Sequence, residues 1–197
     1  MNGPAMRKCL VIGASGFIGG HVMAGQDIFA RELGVALVAS PDSIDIRDAA
    51  AVGELVRAQS PDYVVHLAAV SFVPDSIANP GATYQTNFLG TLNVLTALSA
   101  VQFRGSMLFV SSAEVYGKVE ESDLPLRETR PFAPRTPYAV SKAAGELLCV
   151  QHALTGNLDV RIARPFNVIG AGQSSKLAVS SFARQIADIE NAGGGNI

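Results

Sequence analysis

Tyr138 and Lys142 stand four residues apart in a stretch that reads as a helix, so their side chains share one face. An ammonium beside a phenol favours the phenolate and is expected to lower the tyrosine's pKa toward working pH, which suits a group that gives or takes a hydroxyl proton. Ser112 lies just past an apolar run, where its hydroxyl can hydrogen-bond a carbonyl and polarise it; a strand-end turn is the plainer reading of the same serine. Gly13, Gly16 and Gly19 recur at three-residue intervals directly after another apolar run. A strand-to-helix turn needs one glycine where the chain reverses, one where backbone approaches a pyrophosphate and one where helix packs on strand. The free N–H groups and positive end of the new helix then hold the phosphates. Proton transfer beside a bound dinucleotide is the chemistry these residues can do together.

The elements that must position them alternate along the chain. Cys9–Ile12 reads as the first strand and Phe17–Arg31 as the helix after it, followed by a second strand, Val35–Ala39. Ile44–Asp48 is short and strand-like. Asp45 within it faces the adenine edge of a cofactor or serves as a turn and helix cap, and the sequence leaves both open. Asp42, behind Pro41, is a further candidate for a ribose contact, and NAD against NADP stays open. Ala49–Gln59 is a helix and Tyr63–Leu67 a strand. Ala68 and Ala69 at its C-terminal end let a cofactor lie against backbone, or serve tight packing alone. Ser71–Pro80 reads as a loop and Thr83–Val101 as a long helix apolar on more than one side. Met107–Ser111 is the fourth strand, Lys118–Thr136 a long polar loop, and Pro137 the start of the next helix with Thr136 as its cap. Leu158–Ala163 is a fifth strand and Leu177–Glu190 a last helix. Strands alternating with helices predict an α/β fold, a doubly wound parallel sheet.

The composition narrows the class. The chain has 197 residues, 48% hydrophobic and 16% charged, with a formal net charge of −2. That is globular composition without a basic face, so nucleic acid is not an expected partner. No apolar run approaches membrane-spanning length, and Met1–Lys8 is too short and polar for a signal peptide. Cys9 and Cys149 sit in apolar contexts, as packing cysteines of a reduced, cytoplasmic protein do. His21, His66 and His152 show no ligand spacing, and no metal is expected.

Five segments together resemble an extended short-chain dehydrogenase/reductase of the NAD-dependent epimerase/dehydratase type acting on nucleotide sugars. They are Gly13-Ala14-Ser15-Gly16-Phe17-Ile18-Gly19, His66-Leu67-Ala68-Ala69, Ser111-Ser112-Ala113-Glu114-Val115-Tyr116-Gly117, Tyr138-Ala139-Val140-Ser141-Lys142 and Arg164-Pro165-Phe166-Asn167. The resemblance implies a Rossmann-type NAD(P)-binding domain over residues 1–197. It implies catalysis by Ser112, Tyr138 and Lys142, with Lys142 also on the nicotinamide ribose. It implies cofactor contacts from Gly13, Gly16, Phe17, Ile18, Gly19, Asp45, Leu67, Ala68, Ala69, Tyr138, Lys142 and Pro165. Ser71, Ser112, Glu114 and Asn167 match substrate-contacting positions.

Residues 164–173 and 182–186 are similar to GDP-4-keto-6-deoxy-mannose reductases and their GDP-mannose 4,6-dehydratase relatives, although Val168 and Ala171 replace a histidine and a proline usual in the reductases. The leading expectation is an NAD(P)-dependent reductase of a 4-keto-6-deoxy sugar nucleotide. A dehydratase or epimerase is the alternative, and Glu114 keeps it open as a base for the proton beside a keto group. A non-catalytic dinucleotide-binding remnant is the other alternative, because the family continues into a C-terminal substrate lobe that this sequence lacks. The apolar excess on helices Thr83–Val101 and Tyr138–Leu154 leads us to expect a homodimer through a four-helix bundle.

Overall fold

The structure, a computed structural model, describes residues 6–155 and 158–194. The leader question at Met1–Ala5 and the chain end at Gly195–Ile197 lie outside the described residues. The chain divides into two compact units, Met1–Phe166 and Asn167–Ile197.

The first unit is built on a parallel sheet of β1 (Arg7–Ile12), β2 (Val35–Ala39), β3 (Tyr63–His66), β4 (Ser106–Val110) and β5 (Asp159–Ala163), in the order β2-β1-β3-β4-β5. Val11 pairs with Ala39 on one side and Val65 on the other, and Phe109 joins His66 to Ile162. Parallel neighbours cannot be joined by a tight turn, so helices make the crossovers. They are α1 (Phe17–Ala24), α2 (Gln26–Leu33), α3 (Ala49–Gln59), α4 (Val73–Ala78), α5 (Pro80–Tyr84), α6 (Gly90–Ala100) and α7 (Pro137–Thr155). Strand periodicity then splits β1 between two cores. Leu10 and Ile12 pack with Leu55, Val56, Leu95, Leu98 and Phe109; Cys9 and Val11 pack with Leu37 and, less deeply, Val22 and Phe29. Each large side chain so buried is worth about 1.5–3 kcal/mol. Both cysteines are buried as free thiols.

Four expectations need correction. The helix expected over Phe17–Arg31 is two helices, because the chain turns at Gly25, whose N–H closes onto Val22. Ile44–Asp48 forms turns and no strand: Asp45 accepts from the Arg47 N–H at 2.9 Å and Asp48 from Ala50 and Ala51, so these carboxylates capture backbone that a ladder would need. The helix cap in this stretch is Asp48. Ser71–Pro80 is largely helical, since Pro74 and Pro80 sit in first turns, where proline starts helices. The long helix begins at Pro80 and passes through a π-turn, Gln85–Leu89, before α6. Thr136 does cap α7, its hydroxyl accepting from Ala139 N at 3.1 Å. The loop 118–136 is not loose: Val119, Leu126 and Phe132 pack on Val115, Tyr116 and Ala143.

The second unit contains α8 (Ala178–Asn191). Gln173 braces its start, donating to Val168 O at 2.7 Å and accepting from Ser180 Oγ at 3.0 Å. Among the described residues no helix is long and apolar enough to cross a membrane.

Candidate functional site

Strand order reverses between β1 and β3, and the crevice beyond their C-terminal ends is where open α/β sheets bind ligands. The glycine turn sits there. Gly13 has φ +89°, and a Cβ on it would fall 2.6 Å from Ala68 N. A Cβ on Gly19 would fall 2.2 Å from Gly13 O. Both glycines are therefore required by the protein's own backbone. Gly16 is not: a Cβ there would meet nothing nearer than Gly13 O at 3.4 Å, and no side chain caps the helix it opens. An exposed glycine before an uncapped helix start is a cradle for an external anion, so the residues present fit a dinucleotide pyrophosphate. Ser40, which sequence reasoning missed, braces the turn by accepting from Gly13 N at 3.3 Å. Leu67 and Ala68 both donate to Ile12 O, which brings the end of β3 against that turn. Phe17 and Ile18 form the first turn of α1, with the Phe17 ring edge-on to His21.

Asp45 stands apart in character. It is exposed and held bidentately by Arg47, which keeps its carboxyl down at about 2. Ser71 is exposed after β3, and Asn167 opens the second unit, so its position relative to the crevice is not described. Pro165 contributes its carbonyl to Ala113 N at 2.9 Å.

Ser112 is buried at the end of β4, its hydroxyl accepting from Glu114 N at 3.2 Å. The Tyr138 phenol lies against it. Burial raises the phenol's pKa, the Ser112 hydroxyl pulls it back and the nearby Glu114 charge raises it further. This corrects the expectation of a lowered phenol. Burial is the cause, and Lys142, a residue only 5% exposed, donates its ammonium to Val110 O at 2.8 Å over the Phe109 ring. Burial also brings Lys142 itself down to about 8.

A stripe of buried polar residues, Thr83, Asn87 and Thr91, supports α7 from beneath. Asn87, in the π-turn, accepts from Val70 N at 2.7 Å and donates to Val70 O and to Ser141 Oγ; Ser141 in turn donates to Tyr138 O at 2.7 Å. Tyr138 N donates to Ser76 Oγ. One asparagine thus ties the segment after β3 to the turn of helix that presents Tyr138. The available signal was the i, i+4, i+8 spacing of polar residues on an otherwise apolar helix. Thr91 gives its proton to Asn87 O, so it accepts from His66 Nε2 at 3.0 Å, which puts a proton on that ring nitrogen. Burial, with the Lys142 charge, brings His66 down to about 3.

Glu146 and Arg164 were also missed. They pair a buried carboxylate with a partly buried guanidinium, Arg164 Nε and a terminal nitrogen meeting the carboxylate at 2.9 and 2.7 Å. The guanidinium lies over Tyr116 and Phe132 and bonds Tyr116 Oη and Glu128 O.

Comparison with known proteins agrees with this geometry. The profile of the family described as "NAD dependent epimerase/dehydratase family" matches residues 9–196. The chain is 44% identical over 181 residues to GDP-6-deoxy-D-mannose reductase of Pseudomonas aeruginosa, covering 92% of this chain and 59% of that protein. It superposes on the structure of RMD from Pseudomonas aeruginosa complexed with NADPH with a TM-score of 0.89 at 42% identity, covering 99% of this chain and 64% of that one. A UDP-glucose 4-epimerase of Thermus thermophilus complexed with NAD gives 0.79 at 30% identity, over 96% and 64%. The chain therefore spans less than two thirds of the length of these relatives.

Proposed function

Because this chain belongs to the NAD dependent epimerase/dehydratase family, we propose that residues 1–197 form the NAD(P)-binding and catalytic domain of a reductase acting on a 4-keto-6-deoxy GDP-sugar. The observation that carries the reading is the Tyr138 phenol, held protonated against the Ser112 hydroxyl at the strand ends that also carry the glycine cradle. Gly13, Gly16, Phe17, Ile18, Gly19, Leu67, Ala68, Ala69 and Pro165 would hold the cofactor, together with Tyr138 and Lys142. Bound there, NADPH or NADH supplies a hydride to the keto carbon. Ser112 donates a hydrogen bond to the keto oxygen and draws its charge, and Tyr138 gives that oxygen its proton. Once that oxygen holds its proton, the single Ser112 O–H turns from it to the phenolate left behind. Asp45, neutralised by Arg47, would meet the adenosine end, and Ser71, Glu114 and Asn167 the sugar nucleotide. The similarity to the Pseudomonas aeruginosa reductase supports a GDP-sugar and the NADPH-bound relative supports NADPH. In this reading the enzyme works in the cytoplasm as a homodimer, with Cys9 and Cys149 reduced.

The test is Tyr138→Phe. Turnover should fall by about 10²–10⁴-fold while NADPH binding is retained, because the phenol's proton matters in the reaction and little in binding. Wild-type turnover in that variant would remove Tyr138 as the acid. Net consumption of NADPH with the 4-keto GDP-sugar marks a reductase; recycled cofactor would mark a dehydratase or epimerase instead.

A further inference from the structure

Glu146 touches neither the glycine cradle nor the crevice, yet hydrogen bonds converge on it from two segments. It follows Lys142 by one turn of α7. It accepts from the Ser111 hydroxyl and, bidentately, from Arg164. Ser111 and Arg164 are themselves joined through backbone: Ser111 N donates to Ala163 O at 2.8 Å and Ala113 N to Pro165 O at 2.9 Å. These two ladder bonds bracket Ser112, and the residue between their acceptors is Arg164. The result is a closed ring of bonds, running from the helix carboxylate to Ser111, across the ladder to the 163–165 segment, and back through the guanidinium. Arg164 extends it to Tyr116 Oη and Glu128 O, pinning the turn after Ser112 and the long loop.

We infer that Glu146 and Arg164 act as one positioning unit, which locks the strand end bearing Ser112 in register against the helix bearing Tyr138 and Lys142. The inference rests on the reading of those three residues as the reacting groups. Stability alone does not account for the pair. The Glu146 carboxylate, 2% exposed, and the partly buried guanidinium, 15% exposed, give up hydration, and apolar side chains of similar volume often fill such a site as well or better. What apolar packing lacks is direction, and here every bond of the ring has one. A strand end free to slide by 1 Å against α7 would spoil a hydroxyl–phenol geometry on which the rate depends steeply. Glu146 has a second effect on the same helix, since its charge favours the Lys142 ammonium against burial.

The experiment uses the 197-residue chain and two variants. In Glu146→Leu/Arg164→Met both ions become apolar together. In Glu146→Gln the shape stays and the charge goes. We expect the double variant to melt near the wild type and to bind NADPH with unchanged Kd, while the Ser111 and Ala113 amides exchange with solvent at least about tenfold faster. Its kcat should fall roughly a hundredfold with KM little moved. The chain has four lysines, Lys8, Lys118, Lys142 and Lys176, so ¹³Cε resonances resolve Lys142, assigned by its loss in Lys142→Met. In Glu146→Gln its titration midpoint should move to lower pH. A folded double variant with wild-type exchange and kcat would overturn the inference; should that variant fail to fold, an unmoved Lys142 midpoint in Glu146→Gln would overturn it. Absence of turnover in the wild type would instead strike the proposed reductase activity, leaving amide exchange and the Lys142 titration to decide the positioning role.

Discussion

The Lys142 ammonium rests on the Val110 carbonyl at 2.8 Å, two residues before Ser112 on the same strand end. The lysine that shares a helix face with Tyr138 is therefore anchored to the sheet, and burial moves its titration from 10.5 to about 8.

A pH-dependent stability follows from Lys142. Between about 8 and 10.5 the unfolded chain holds a proton that the folded chain has lost, so this residue's contribution to stability rises with pH across that window, by at most about 3 kcal/mol. Below 8 the buried ammonium carries its full desolvation cost. Urea unfolding of wild type and Lys142→Met at pH 7.5 and pH 10 should show the wild type gaining relative to the variant at the higher pH. An equal difference at both pH values would contradict it.

His66 works in acid. Its imidazole stays neutral in the fold down to about 3, whereas the unfolded chain takes up the proton near 6.5. Stability from this residue is complete above 6.5 and drains away as pH falls toward 3, on the order of a few kcal/mol. His66→Gln, which keeps a donor for Thr91 and does not titrate, should flatten the acid side of a melting-temperature profile. The check is differential scanning calorimetry from pH 7 to pH 4, where parallel profiles for the two proteins would refute the assignment.

The glycines of the first turn should separate by experiment. Gly13→Ala places a Cβ 2.6 Å from Ala68 N at a positive φ, so it should cost folding stability, at least about 1–3 kcal/mol. Gly16→Ala meets no such contact and should melt near the wild type, yet lose NADPH affinity by about tenfold or more, as the methyl enters the phosphate cradle. Fluorescence titration with NADPH reads the second effect; retained affinity in a folded Gly16→Ala protein would show that the pyrophosphate lies elsewhere.

The dimer expectation also has a residue-level form. Val140, Leu147 and Leu154 recur every seven residues along α7 and are exposed, as are Leu89 and Val101 on the helix before β4. Pairing these faces between two copies would bury them. Light scattering at micromolar concentration should give a dimer for the wild type and a monomer for Leu147→Arg. A monomeric wild type would end that reading.

Much of this arrangement is legible in the sequence because it is written locally. Apolar runs alternating with helical segments specify parallel strands, and a glycine before a helix specifies a tight turn. Thr136 before Pro137 marks a helix start as plainly. What escaped is long-range. Nothing near Lys142 says that its amine will fold back on Val110, and nothing near Glu146 names Arg164. Ile44–Asp48 reads as strand because alternation there is real: Ile46 is buried, but Asp45 and Asp48 satisfy backbone locally and no ladder forms. Pro74 and Pro80 look like breakers until the helices they begin are seen.

The strand order has a consequence for how the protein comes to exist. Every ladder in the β2-β1-β3-β4-β5 sheet joins strands that are separated in the chain by at least one helix, and none is a hairpin. Chain closure over such distances is slow compared with forming a helix. The glycine turn needs β3 beside β1, and Ser112 needs β5 beside β4. The two halves of the crevice therefore wait on different parts of the chain: the glycine turn on the arrival of β3, and the strand end bearing Ser112 on the arrival of β5, about a hundred residues later.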